Sequence, residues 1–183
     1  MLRNIRKIIE KISNEDPVVR KRAAEALAEG DERAVYPLVK ALGDDNPGVQ
    51  DAAMRSLVSI GGEVVAYMVT PLLRETTLIR NTALIILRDL GEVSVPMLYA
   101  LLKDKDDDMR KFAIDLFGEI NKNVKPHTIV PMLKDPNANV RAATAKALGL
   151  IGYREAIPDI VNALADEEWV CFSALEALGE LNA

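Results

Sequence analysis

The residues best suited to chemistry are a run of aspartates in the middle of the chain. Asp104, Asp106 and Asp108 match the first, third and fifth ligands of a calcium-binding loop. Such a loop needs glycine at its sixth position and glutamate at its twelfth, where this chain has Met109 and Asp115. Carboxylates that precede a helix also cap its first N–H groups and complement its dipole. We therefore predict a helix start here rather than a metal site.

The remaining reactive side chains are few. His127 is the single histidine and Cys171 the single cysteine, so neither a histidine-rich metal site nor an internal disulfide can form. The sequence contains no glycine-rich phosphate loop, no Gly-x-Ser-x-Gly turn and no zinc-ligand spacing. We predict no catalytic residue, no metal and no cofactor, and a protein that is not an enzyme.

Composition places the chain among folded, non-membrane proteins. It has 183 residues, a formal charge of −5 and only 4% aromatic residues, and Ala, Leu, Ile and Val predominate. No apolar run approaches the roughly 18 residues of a membrane span. The first residues mix Arg3, Arg6 and Lys7 with isoleucines and do not resemble a signal peptide. With one cysteine, this pattern predicts a cytoplasmic location.

A repeat of about 30 residues organises the whole chain. The same dipeptide position recurs as Val19-Arg20, Val49-Gln50, Ile79-Arg80, Met109-Arg110, Val140-Arg141 and Val170-Cys171, with spacings of 30, 30, 30, 31 and 30 residues. We call its second residue the arginine position. Small and apolar residues follow three, four, six and seven residues later, which is one face of a helix. A second apolar stripe precedes each block, so every repeat is predicted to be two helices joined by a turn.

The ends of these helices carry recognisable signals. Asp16-Pro17, Asn46-Pro47 and Asp135-Pro136 predict a capping side chain followed by proline at the first helical position. Glycines that suit left-handed C-terminal caps stand at Gly30, Gly61-Gly62, Gly91 and Gly152. Pro71 and Pro131 lie late in their first helices and should kink them. The chain shows no alternation typical of strands, so the predicted class is all-α.

These residues resemble a known family. The pattern that runs from Asp135-Pro136 through Val140-Arg141-Ala142-Ala143 and Ala147-Leu148-Gly149 to Ala156-Ile157-Pro158 is similar to the HEAT-like repeats named after phycobilisome lyases. The resemblance covers essentially the whole chain. It implies an α-α superhelix, or solenoid, of about six two-helix repeats in a single domain over residues 1–183, with approximate repeats at 1–30, 31–60, 61–90, 91–120, 121–151 and 152–183.

The resemblance leaves several functions open. Such repeats serve lyase subunits, translation factors and scaffolds. Deoxyhypusine hydroxylase shares the fold but relies on repeated His-Glu pairs for its iron, and this sequence has none. Our leading hypothesis is a non-catalytic scaffold that binds a protein partner. The alternative is a lyase-associated or regulatory subunit of an enzyme complex. Nucleic-acid binding is less favoured, because the chain is acidic overall and lacks a basic stripe along its second helices.

The recurrent arginine suggests a ladder of ion pairs between neighbouring repeats. We predict that Arg110 pairs with Asp104 or with an acid in a neighbouring repeat, and that Arg141 pairs with Asp135. Gln50 and Cys171 replace the arginine and should interrupt the ladder.

The second helices usually line the concave side of such repeats, which is the default binding surface. We expect the positions one, two, five and nine residues after the arginine position to face outward there, including the alanines at 52 and 143. The candidate partner-binding residues, which vary while the core positions do not, are Arg22, Arg55, Ile85, Phe112, Lys146 and Phe172. Trp169 is a further candidate anchor, or else covers the open end of the array.

The two ends of the chain differ in charge and in capping. Basic residues predominate in the first 22 residues, whereas acids predominate from Gly152 onward. No polar cap helix follows the last repeat, so we predict self-association through this repeat or an origin within a longer polypeptide.

Overall fold

The computed structural model describes residues 2–183, and their side chains from Ile5 onward. It forms two compact halves, residues 1–94 and 95–183, which we call the N-terminal and C-terminal halves. The described residues are arranged in α-helices and short 3-10 helices without strands. The predicted all-α solenoid class is confirmed. None of the described helices is both long and apolar enough to cross a bilayer.

The N-terminal half pairs first and second helices as the repeat predicts. The first helices are α1 (Leu2–Lys11), α3 (Val35–Ala41) and α5 (Gly62–Val69), and the second helices are α2 (Pro17–Ala26), α4 (Pro47–Ile60) and α6 (Thr77–Leu90). Short 3-10 helices at Leu27–Glu29, Glu32–Ala34, Thr70–Arg74 and Gly91–Ser94 extend or join them. Helix α4 packs against both α2 and α6, so the second helices form one continuous layer.

The C-terminal half repeats this arrangement. The second helices α8 (Asp107–Ile120), α9 (Ala138–Ile151) and α11 (Glu168–Glu180) pack side by side, with α9 in the middle. The first helices are α7 (Val95–Leu101) and α10 (Ile157–Asn162), and 3-10 turns at Arg154–Ala156 and Ala163–Ala165 flank α10. Between α8 and α9 the first helix is replaced by 3-10 turns at Pro126–Thr128 and Val130–Lys134.

Proline explains where the first helices lose α geometry. Pro131 lies within the 3-10 turn Val130–Lys134, and Pro71 lies within the 3-10 turn that follows α5. Proline has no N–H for an α-helical hydrogen bond and its ring clashes with the preceding turn. At both prolines α geometry is therefore replaced by 3-10 geometry, and the kinks themselves stay predictions.

The helix ends follow most of the predicted signals. The Asp16 and Asn46 side chains accept hydrogen bonds at the starts of α2 and α4, each before a proline. The prediction at Asp135-Pro136 is wrong by two residues, because α9 begins at Ala138 with Asn137 as its cap. Positive φ angles follow α4, α6 and α9 as expected, but Gly30 has φ −78°, so its predicted left-handed cap is wrong. At the end of α8, Asn121 rather than a glycine adopts the left-handed conformation, at φ 51°.

The core consists of apolar side chains that recur at the same repeat positions. Seven residues after the arginine position, the side chain is fully buried in five successive repeats, at Leu27, Leu57, Leu87, Phe117 and Leu148. Alanine is common three residues after the arginine position, where small side chains allow the second helices to approach closely. This layer fixes which faces of the second helices reach solvent.

Candidate functional site

An arginine–aspartate rung joins consecutive repeats at the start of the second helices. The Arg110 guanidinium donates two hydrogen bonds to the Asp135 carboxylate of the following turn, at 2.7 and 2.8 Å. Its third nitrogen donates to the main-chain carbonyls of Asp104 and Lys105 in its own turn. The side chains of Arg110 and Asp135 are only 11% and 4% exposed. The rung therefore fixes two turns at once from a largely buried position.

The same geometry recurs in both halves. Arg20 binds both oxygens of Asp44 at 2.7 and 2.8 Å, and Arg141 binds both oxygens of Asp166 at 2.7 Å. Each arginine also donates to carbonyls of its own turn. Gln50 occupies the arginine position of the second repeat, and its side-chain amide donates to the Asp44 carbonyl. Glutamine thus makes the contact within its own turn, as the arginines do, without the ion pair to the next turn.

The rungs lower the pKa of their carboxyl groups. Hydrogen bonds from Arg20 hold the pKa of Asp44 below its ordinary value of 3.8, and those from Arg141 do the same for the pKa of Asp166. For Asp135, burial raises the pKa, but hydrogen bonds from Arg110 and the Asn137 N–H outweigh burial and lower it. The carboxyl groups of Asp44, Asp135 and Asp166 are therefore fully ionised in the folded protein at neutral pH.

The ladder was predicted only in part. Arg110 pairs with an acid of the neighbouring repeat, as expected. The predicted pair of Arg141 with the Asp135 carboxylate is wrong, because Arg141 reaches forward to Asp166 and touches Asp135 only at its main-chain oxygen. The aspartate run lies at a helix start, as predicted, with Asp106 capping α8 through the Asp108 N–H at 3.0 Å. Asp104 and Asp106 accept hydrogen bonds from N–H groups of their own turn, whereas Asp107 accepts one from the Asn137 side chain of the next turn.

The other side chains that could support chemistry lie apart from one another in the chain. His127 is exposed in the turn Pro126–Thr128, and Cys171 is half-buried near the start of α11. Within residues 2–183, no group of three or more His, Cys, Asp or Glu side chains could hold a metal ion.

Shallow depressions in the C-terminal half lie along the second helices. One of about 280 Å³ lies between α8 and α9, and another of about 360 Å³ lies between α9 and α11. Both are bordered by Lys146 and Leu150. We call this surface the second-helix groove and define it by Asp115, Glu119, Lys146, Leu150, Glu176 and Glu180. Leu150 is 46% exposed between side chains that are mostly acidic.

The charges of the groove are unevenly neutralised. Lys111 binds Asp115 at 2.7 Å on the surface of α8. Glu119, Glu176 and Glu180 are exposed, and Lys146 is the basic side chain among them. The groove thus presents an exposed leucine within a net negative field.

The predicted binding residues of the N-terminal half lie at different depths. Arg22 is exposed on α2. Arg55 is exposed on α4 and pairs with Asp51 at 2.7 Å. Ile85 is half-buried on α6. The expectation that position 52 faces outward is wrong, since Ala52 is 1% exposed against the neighbouring helices.

The predicted binding residues of the C-terminal half include three that are well exposed. Lys146 lies in the second-helix groove, and Phe172 and Trp169 are 60% and 49% exposed near the start of α11. Phe112 is half-buried on α8. Ala143 borders the depression between α8 and α9, but it is only 8% exposed, so its expected exposure is wrong.

Sequence reasoning missed a surface on the first helices. A cavity of about 440 Å³ in the N-terminal half is lined by Ile9, Ile12, Tyr36, Pro37 and Lys40, among others. Tyr36 is 57% exposed, and the Lys40 ammonium lies 4.9 Å from the centre of its ring. The exposed aromatic at the second position of α3 was the signal available in the sequence.

The chain can now be compared with known proteins. No curated protein sequence matches it significantly. Among solved structures, human deoxyhypusine hydroxylase is 19% identical over 97% of this chain and 84% of its own, with a TM-score of 0.53. An archaeal HEAT-like repeat protein from Thermococcus onnurineus is 15% identical over 100% of this chain and 88% of its own, also with a TM-score of 0.53.

A designed armadillo repeat protein, solved in complex with the peptide (KR)4, is 17% identical over 96% of this chain and 98% of its own, with a TM-score of 0.50. These similarities show the fold. The model of the HEAT repeats matches residues 5–88 and 126–183, which is most of the chain. The chain therefore belongs to the HEAT repeat family.

Proposed function

We propose that this chain is a non-catalytic scaffold that binds a partner protein through the second-helix groove. The observation that carries the proposal is the exposed Leu150 beside Glu119, Glu176 and Glu180. An apolar side chain that borders two depressions offers an anchor point, and the carboxylates around it favour basic side chains. The partner segment is therefore one that carries lysine or arginine next to an apolar residue.

The surrounding residues support this choice of partner. Lys146 can donate a hydrogen bond to a carbonyl of the partner, while the acids bind its cations. Phe172 and Trp169 extend the apolar surface at the start of α11 and serve as further anchors. The designed armadillo relative with a bound lysine–arginine peptide supports the same chemistry on a related fold. Arg22, Arg55, Ile85 and Phe112 stay predictions, as does the alternative of a lyase-associated subunit.

Binding of labelled peptides tests the proposal. We expect a peptide of alternating basic and apolar residues to bind in a fluorescence anisotropy titration, and its acidic counterpart not to bind. Glu119→Lys should weaken binding about tenfold, which corresponds to about 1.4 kcal/mol, because it replaces a favourable charge contact with a repulsive one. Glu63→Lys is the matched control, because it makes the same charge change on the exposed face of α5.

Two outcomes would count against the groove. Equal affinity for the basic and acidic peptides would remove the electrostatic argument. An equal loss of binding in Glu119→Lys and Glu63→Lys would show that net charge, rather than this surface, governs the interaction.

A further inference from the structure

The junction between α4 and α6 differs from the other junctions between neighbouring second helices within one half. Helix α6 packs against α4 less extensively than α4 packs against α2, and less than α9 packs against α8 or α11. Both helices of this junction belong to the N-terminal half, and α2 precedes them in the same layer. The loose contact is therefore a property of the two repeats that meet there.

Side-chain burial shows the same difference. Four residues after the arginine position, Ala24, Ile114 and Ala145 are fully buried where another second helix follows. The equivalent residue of α4 is Met54, which is only half-buried although α6 follows it. Val58, one turn further along α4, is half-buried as well. Part of the apolar edge of α4 thus stays in contact with water, and it contributes less to holding the two helices together.

The α4–α6 junction also lacks the arginine of a rung. Gln50 occupies the arginine position of α4, and its amide group binds the Asp44 carbonyl of its own turn. The acid of the next turn at the position equivalent to Asp44 is Glu75, which is exposed, whereas the acids of the three rungs are 4% to 22% exposed. Because glutamine carries no charge, this position cannot tie the turn before α4 to the turn before α6 by an ion pair.

Two successive glycines connect α4 to the next first helix. Gly61 and Gly62 have φ angles of 66° and 83°, in a region that residues with a Cβ atom rarely adopt. No described side chain lies within 4 Å of a Cβ atom added at either glycine. The link is therefore neither stiffened by Cβ atoms nor fixed by packing, and its backbone angles can change at low cost.

Helices α5 and α6 hold together independently of this junction. Helix α6 packs against α5 and against the 3-10 turn Thr70–Arg74 that follows α5. The Arg80 guanidinium of α6 donates hydrogen bonds to the main-chain carbonyls of Leu73 and Glu75. The Leu73 side chain is fully buried. These contacts keep the two helices in one arrangement when their contact with α4 changes.

We propose that the α4–α6 junction is a hinge, at which α5 and α6 pivot as one body against α1 to α4. Gly61 and Gly62 absorb the change in backbone angles, and the loosely covered edge of α4 allows the two second helices to separate or close. The pivot changes the spacing between Arg55 on α4 and Ile85 on α6. A molecule bound across both helices would select one setting of the hinge.

Distances between spin labels test the hinge in the whole chain. The first label pair is Glu29→Cys with Asp89→Cys, at the ends of the second helices on either side of α4. The control pair is Glu119→Cys with Glu180→Cys, at the ends of the second helices on either side of α9. All four residues are exposed acids nine residues after the arginine position, and Cys171→Ser removes the native thiol. Double electron–electron resonance measures the distance distribution of each pair.

The first pair should give a distance distribution about twofold broader than that of the control pair, because only the first pair spans the α4–α6 junction. Gln50→Arg combined with Glu75→Asp supplies both side chains of a rung. These two substitutions should raise the melting temperature and narrow the distribution of the first pair to the width of the control pair. The distribution of the control pair should not change.

Two results would overturn the proposal. Equal widths for the two pairs in the otherwise unchanged chain would show that the α4–α6 junction is as rigid as the junctions with rungs. A distribution of the first pair that stays broad, although the added rung has raised the melting temperature, would show that the motion does not arise at this junction. The hinge lies outside the second-helix groove and is measured without peptide, so neither result bears on the peptide-binding proposal.

Discussion

The two halves contain the same repeat but join their second helices differently. In the C-terminal half, Gly118 and Gly149 allow neighbouring second helices to approach closely. A Cβ atom added at Gly118 would lie 3.2 Å from the Ala147 Cα atom, and one added at Gly149 would lie 2.8 Å from the Ala177 Cα atom. The same repeat position in the N-terminal half holds Ala28 and Val58, so side chains separate the helices there. The buried Ser56 hydroxyl adds a hydrogen bond to the Ala24 carbonyl of the adjacent helix, at 2.8 Å. One fold thus tolerates both close main-chain packing and packing through side chains, and the close packing leaves less room for substitution.

The largest difference between the halves should follow from removal of a rung. Arg110→Met leaves the Asp135 carboxylate buried without its cation, and we expect a loss of about 3 kcal/mol in the free energy of unfolding. Gln50→Met removes one hydrogen bond at the equivalent position of the N-terminal half and should cost about 1 kcal/mol. Urea unfolding at pH 7 measures both. Equal losses would show that the rung contributes no more than an ordinary hydrogen bond.

A smaller effect is expected from alanine at equivalent glycines. Gly149→Ala forces a methyl group against the Ala177 main chain and should cost about 2 kcal/mol through overpacking. Gly179→Ala has open space and should instead gain up to about 1 kcal/mol, since alanine favours the helix. Thermal unfolding of dilute protein distinguishes them. A similar loss in both variants would contradict the close approach between α9 and α11.

The rungs also predict how stability depends on pH. The folded pKa values of Asp44, Asp135 and Asp166 lie below their ordinary value of 3.8. Their contribution to stability is therefore complete above that value and is lost as pH falls through the lower folded pKa. The difference in unfolding free energy between wild type and Arg110→Met should narrow by about 1 kcal/mol between pH 7 and pH 3. A difference that stays constant with pH would mean that the ion pair does not cause it.

The smallest effects concern buried hydroxyl groups. Ser56→Ala removes the hydrogen bond between α4 and α2 and should cost about 1 kcal/mol. Thr144 in the C-terminal half donates within its own helix, to the Val140 carbonyl, so Thr144→Val should change stability by less than about 0.5 kcal/mol. Chemical denaturation of both variants checks the order. A larger loss at Thr144 would reverse the comparison.

The sequence was sufficient for the fold because the repeat places its signals at constant spacing. Six occurrences of the arginine position defined the second helices, and the prolines at 71 and 131, which were expected to kink the first helices, lie where the structure has 3-10 geometry. The partner of Arg141 could not be obtained this way. Asp135 is closer in the chain, but the side chain points toward the next turn, and that direction depends on how repeats stack.

The surface was harder to predict than the core. A register of outward positions placed Ala52 and Ala143 in solvent, although both are buried because neighbouring second helices cover them. The same register included Leu150, which is 46% exposed beside Gly118 and Ala147. The exposure of a side chain depends on how its helix packs against the neighbouring helix, and the periodicity of one helix in the sequence does not give that packing.

The number of residues between the arginine and the aspartate of a rung is nearly constant. Arginine and aspartate are separated by 24 residues at Arg20–Asp44 and by 25 at both Arg110–Asp135 and Arg141–Asp166. The intervening segment is helical at α3 but consists of 3-10 turns around Pro131. The backbone conformation between the arginine and the aspartate can therefore differ between repeats, while the number of residues between them stays almost the same. For protein engineering, this makes the segment from one arginine to the next aspartate the natural cassette to exchange between repeats, with its length and its buried residues kept and its exposed residues varied.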